Sequence, residues 1–107
     1  MSDQTAQLPE IDRLIHEPAR LAILTVLSSC RGADFVFLGR STGLSKGNLS
    51  VQLTRLAEAG LIEVTREIVR RKTRTTAQLT SRGSKEIKRY WKTLDDIRTA
   101  RFDPTSG

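Results

Sequence analysis

The sequence is poor in residues that carry chemistry on their own. It holds one cysteine, Cys30, and one histidine, His16, in 107 residues. A lone cysteine excludes an internal disulfide, and together with a single histidine it is too little for a thiolate–imidazole metal cluster. Cys30 therefore reads as a small buried hydrophobe. No nucleophile–base pair, phosphate-cradling glycine loop or metal-ligand spacing is present, so neither enzymatic activity, nor a cofactor, nor a metal site is expected. Apolar runs are short, well under the roughly 20 residues that span a bilayer. The N-terminus lacks the basic flank and apolar stretch of a signal peptide. A cytoplasmic location with no membrane partner is the resulting expectation.

What the chain does have is basic charge, placed unevenly. Its 37% hydrophobic and 28% charged residues are an ordinary mixture for one small domain, and the formal net charge is +6. Residues 40–92 carry thirteen basic and four acidic side chains, whereas the segments on either side are slightly acidic. A cationic block of that kind suits a polyanionic partner. A domain this small also gains from burying surface against a partner subunit.

Apolar periodicity and breakers divide the chain. Residues 1–8 read as a loose tail. Pro9 opens a first helix marked by Ile11, Leu14 and Ile15. Pro18 interrupts it and starts a second helix to about Cys30, with Leu21, Ile23, Leu24 and Leu27 inward, ended by Gly32. Phe35 and Leu38 begin a third, short helix closed near Gly43. Ser45 caps a fourth from about Lys46 to Ala59, whose Leu49, Leu53 and Leu56 form one apolar stripe, and Gly60 stops it. Leu61, Ile62 and Val64, then Ile68 and Val69, and after a basic segment Thr75, Thr76 and Leu79 read as a β-hairpin. Thr80 caps a last helix of about 20 residues, and residues 101–107 read as a second tail. The expected fold is mainly α with a small β-hairpin (α+β). It is a winged helix-turn-helix over residues 9–80, a long C-terminal dimerisation helix over 81–100, and tails at 1–8 and 101–107.

The fourth helix would then turn Ser45, Lys46, Gly47, Asn48, Ser50, Val51, Gln52 and Arg55 outward. These are short or hydrogen-bonding side chains with no carboxylate before Glu58, which is the character a DNA major groove requires. Gln52 and Asn48 could read adenine, and Lys46 or Arg55 could reach guanine or phosphate. The hairpin supplies Arg66, Arg70, Arg71, Lys72 and Arg74, a flexible basic tip suited to backbone phosphates. On the last helix, Lys85, Lys88, Arg89 and Lys92 make one side basic. Ile87, Tyr90, Trp91, Leu94 and Ile97 make the other apolar, a seam for a second subunit.

Three segments carry a family resemblance: His16-Glu-Pro-Ala-Arg-Leu-Ala-Ile-Leu24; Leu44-Ser-Lys-Gly-Asn-Leu-Ser-Val-Gln-Leu53 with Ala59-Gly-Leu-Ile62; and Arg71-Lys-Thr-Arg-Thr-Thr76 with Leu79-Thr-Ser-Arg-Gly83. Over residues 10–98 the chain resembles small winged-helix transcriptional regulators neighbouring the MarR and ArsR families. The resemblance implies sequence-specific binding of double-stranded DNA by a homodimeric regulator of repressor type, with any small-molecule effector left open. Thr73 stands where related wings often carry proline, and Ala77 where an aromatic is common, which would loosen the tip and thin the packing beneath it. The alternative is a winged helix used as a protein-interaction or RNA-binding module.

Overall fold

The computed structural model describes residues 8–102 and 104. The expected tails over 1–8 and 101–107 therefore fall largely outside the described residues. Four helices and three strands follow in the order α1 (Pro18–Ser28), β1 (Ala33–Asp34), α2 (Phe35–Thr42), α3 (Lys46–Glu58), β2 (Ile62–Val69), β3 (Lys72–Leu79) and α4 (Ser81–Thr99). The strands form one antiparallel sheet in the order β1-β3-β2.

The helix expected to open at Pro9 is a single turn. Asp12 Oδ1 accepts from the amides of Leu14 (2.9 Å) and Ile15 (3.3 Å), and the His16 amide donates to Asp12 O at 2.8 Å. With Pro18 closing the segment, too few residues remain to repay helix nucleation. The turn still delivers a fully buried Ile15 to the core, with Ile11 and Leu14 packed against it. Pro18 then takes the first position of α1, capped by the Glu17 side chain, which accepts from Arg20 N at 2.8 Å. The helix ends at Ser28, short of Cys30.

A third strand, β1, adds to the expected hairpin. Ala33 and Asp34 pair with Ala77 and Thr76, and Asp34 at once becomes the N-cap of α2, its carboxylate accepting from Phe37 N at 2.8 Å. Gly43 closes α2 with φ of 74°, a left-handed conformation that favours glycine. Ser45 caps α3 by accepting from Asn48 N at 3.1 Å. At the other end of α3 the Gly60 amide donates to Ala57 O (3.0 Å) and the Leu61 amide to Leu56 O (3.1 Å). This paired closure brings Leu56 and Leu61 together in the core.

Thr80 ties the hairpin to the last helix. Its hydroxyl donates to Gly60 O (2.7 Å) and accepts from Gly83 N (2.9 Å), and its amide donates to Leu61 O (3.0 Å). Ile87 and Tyr90 of α4 then enter the same core as Ile23, Leu24, Leu27, Leu38, Leu49 and Leu56. This corrects the expected subunit seam: Ile87 and Tyr90 face their own domain, while Trp91 is 44% exposed. Cys30 is a further correction. Because α1 stops two residues earlier, the thiol lies at the surface and donates to Val26 O at 3.4 Å.

The Asp34 cap gives a direct stability test. The Phe37 amide first, and the Arg74 guanidinium less strongly, hold the Asp34 carboxyl below its ordinary value, although partial burial pulls the other way. A depressed folded pKa contributes stability that is present above the unfolded value of about 3.9 and is lost as pH falls through the folded value. Asp34→Ala is expected to lower stability by about 1 kcal/mol at neutral pH, mostly through the lost cap, because the ion pair is solvent-exposed. Urea unfolding checks this; Asp34→Asn should keep most of the cap and lose the acid dependence together with the small contribution of the Arg74 pair.

Candidate nucleic-acid interface

The outward side of α3 follows from where its core stripe points. Leu49, Leu53 and Leu56 are buried, and Lys46, Gly47, Asn48, Ser50, Val51, Thr54 and Arg55 are exposed. Gln52 departs from the expectation. It is buried, because its amide is held inside the protein by Arg20, whose Nη1 donates to Gln52 Oε1 at 2.9 Å. Gln52 Nε2 in turn donates to Asn48 Oδ1 at 3.0 Å. Thr54, absent from the expected set, takes an outward place one turn from Ser50, and its hydroxyl donates to Ser50 O at 3.1 Å. Helical geometry could have found both. At about 100° per residue, position 52 lies only some 40° from Leu56, whereas 54 falls about 130° from the centre of the stripe.

The hairpin is more ordered than a floppy tip. Its register runs without interruption from Ile62↔Leu79 to Val69↔Lys72, so only Arg70 and Arg71 form the turn. Both have positive φ, 53° and 67°. Lys72 and Arg74, expected in the loop, belong to β3 because the β-branched Thr73, Thr75 and Thr76 continue the ladder. Nor is Ala77 a packing gap. It is buried, with Ala33 beside it on one neighbouring strand and Val64 on the other.

Alternation sorts the hairpin charges by face. Arg66 shares a face with Val64, Ile68 and Thr75; Lys72 and Arg74 share the other with Glu63 and Glu67. Arg74 stands across from Glu67 and donates to Asp34 Oδ2 at 3.4 Å. The hairpin's outward positive charge therefore rests on Arg66, Arg70, Arg71 and Lys72, all exposed. On α4 the basic side is also partly compensated, with Arg89 on Glu86 at 3.8 Å and Lys92 on Asp96 at 3.0 Å.

Helix and hairpin share one concavity. A groove of about 380 Å³ is lined by Ser50, Thr54 and Glu58 of α3 and by Val64, Arg66 and Thr75 of the hairpin, with Phe35, Leu53 and Ala57 at its base. An exposed polar helix flank and a cationic hairpin thus border one hollow. Glu58 is the carboxylate on that wall, at the end of α3 farthest from Lys46.

The sequence matches the family profile of a winged helix DNA-binding domain over residues 19–97. The chain belongs to this family. An uncharacterised protein of Methanocaldococcus jannaschii is 26% identical over 78 residues, which is 73% of this chain and 85% of the relative. Among solved structures, a transcriptional regulator homologue from Pyrococcus horikoshii OT3 superposes with a TM-score of 0.74 at 29% identity, covering 79% of this chain and 84% of its own. A MarR-family transcriptional regulator from Silicibacter pomeroyi superposes with a TM-score of 0.61 at 26% identity, covering 85% of this chain and 62% of its own. In the winged helix nomenclature α2 and α3 are the helix-turn-helix and β2–β3 the wing. Among the described residues no group of His, Cys, Asp or Glu could hold a metal ion, and no helix is long and apolar enough to cross a membrane.

Proposed function

We propose that this winged helix binds double-stranded DNA sequence-specifically as a homodimer and regulates transcription, acting as a repressor by covering its site. The observation that carries the reading is the groove shared by α3 and the wing, with the Ser50 and Thr54 hydroxyls and, at the far end of the helix, Glu58 on one wall and Arg66 on the other. A helix with side chains is about 10–12 Å across, which fits a major groove about 12 Å wide. Ser45, Lys46, Gly47, Asn48, Ser50, Val51, Thr54 and Arg55 would meet bases and flanking phosphates, and Arg66, Arg70, Arg71 and Lys72 the adjoining backbone. Arg74, already engaged by Asp34, plays a structural part.

The dimer reading rests on α4. Trp91 stacks edge-on against Tyr90, with ring centroids 5.3 Å apart, yet remains 44% exposed; Leu94 and Ile97, further along the helix, are half-buried, Leu94 partly against the domain's own core. A large aromatic left open on a helix suits a subunit seam. The seam is therefore Trp91, Leu94 and Ile97, without Ile87 and Tyr90.

Selection of bound duplexes from a random pool tests the whole reading. The expected outcome is an inverted repeat with half-site centres about 10 base pairs, one helical turn, apart. Equal recovery of all sequences would overturn specific recognition. Trp91→Glu should give monomers in sedimentation and lose the paired site; a surviving dimer would remove α4 from the seam. The protein-interaction alternative draws on an apolar groove between α2 and α3, lined by Phe35, Leu44, Leu49 and Val36, the last 60% exposed. It would gain if the selection failed.

A further inference from the structure

The side chains under α3 form a relay whose direction can be worked out from one end. Arg20 is buried, and its Nε donates to Leu14 O at 2.5 Å while its Nη1 meets the Gln52 amide at 2.9 Å. A guanidinium offers five donors and no acceptor. The atom of Gln52 facing it must therefore be oxygen. That fixes Gln52 Nε2 on the far side, toward Asn48, where it can only donate. The atom it meets at 3.0 Å must again be oxygen, Asn48 Oδ1. Asn48 is exposed, and its Nδ2 has no protein partner among the described residues.

We infer that Arg20, acting through Gln52, sets the polarity of Asn48, so that this side chain offers N–H donors rather than its carbonyl oxygen to a base edge. Arg20 and Gln52 are thus positioning residues for sequence preference, on the DNA-binding reading proposed above. An asparagine free to rotate pairs with adenine through one donor and one acceptor. An asparagine held as a donor suits acceptors instead. Guanine, with N7 and O6 side by side in the major groove, is the base that offers two. The expected consequence is a guanine preference at the base pair Asn48 meets.

The relay can be reversed by a change that barely alters its volume. In Gln52→Glu the new carboxylate only accepts. It accepts from Arg20 and also from Asn48 Nδ2, which turns Asn48 Oδ1 outward. The preferred base at that one position should then become one with an exposed donor, cytosine through N4 or adenine through N6. A change of about tenfold or more is expected there, with other positions unmoved.

The experiment is parallel selection of bound duplexes by the full chain and its variants, each first checked for native helix content by circular dichroism. Asn48→Ala identifies the position by flattening its preference. Gln52→Glu should switch that position, and Arg20→Lys, still a pure donor, should preserve guanine. If Gln52→Glu fails to fold, Gln52→Met frees Asn48 without adding charge and should broaden the preference to guanine and adenine together. A guanine-only preference unchanged from wild type in whichever Gln52 variant folds, or an Asn48→Ala variant that changes no position, overturns the relay while leaving DNA binding intact. A wild-type chain that selects no motif overturns both.

Discussion

Gly83→Ala is expected to destabilise the fold more than any other methyl-sized change. A Cβ at this position would lie 1.9 Å from Leu61 O and 2.9 Å from Leu61 C, both backbone atoms that no rotamer change can move. Relief would need α4 to retreat by more than about 1 Å, judging from ordinary contact distances. That retreat would pull Thr80 away from Gly60 O and Leu61 O, and would withdraw Ile87 and Tyr90 from the core. The expected loss is at least about 3 kcal/mol, a large share of the roughly 5–15 kcal/mol that holds a domain together. Urea unfolding followed by circular dichroism measures it. Gly47→Ala is the matched control: nothing lies within 4 Å of its added Cβ and no positive φ is involved. There the methyl should stabilise α3 by up to about 1 kcal/mol. Equal stability of the two variants would show that α4 does not close on Leu61 as described.

Gly83 also illustrates what a sequence makes visible. Gly43, Ser45 and Thr80 were legible because capping chemistry is local: a hydroxyl or a left-handed glycine at a helix end means much the same in every chain. The hairpin is legible from β-branched runs, but its turn reads wider than it is because the basic residues of β3 hide the ladder that Thr73, Thr75 and Thr76 continue. Strand β1 is two residues long, below the length at which alternation can register, and exists only because β3 offers an edge. The N-terminal turn carried helical spacing without the length to propagate it.

The site was less legible than the fold. Arg20 stands 32 residues from the Gln52 it holds, and Asp34 stands 40 from Arg74, so neither pairing leaves a trace in local spacing. A glutamine on an otherwise polar helix looks outward-facing until its buried cation is known. The exposed Trp91 and buried Tyr90, adjacent in sequence, show the same limit on α4. Periodicity gives an apolar side but not which part of it the domain itself consumes.

Replacing Arg70 and Arg71 together by Asn-Gly is expected to move stability and DNA affinity in opposite directions. The pair forms a two-residue turn with both residues at positive φ, 53° and 67°. This geometry suits the right-handed twist of the flanking strands and strongly prefers Asn-Gly. Left-handed backbone costs an ordinary L-residue roughly 1–2 kcal/mol, so the substitution should stabilise the fold by about 1–2 kcal/mol once the longer arginine stems are lost. If the wing lies on the duplex, the same change removes up to two phosphate contacts from each wing. The slope of log affinity against log salt should then shrink by about one for each arginine that made such a contact, and affinity near physiological salt should fall on the order of tenfold or more. Thermal unfolding and a salt titration of binding read the two effects separately. An unchanged salt slope would take the wing tip off the interface, and an unchanged melting temperature would remove the turn strain. Strain kept at two cationic positions that a better turn sequence would relieve is what a turn retained for its charge should look like.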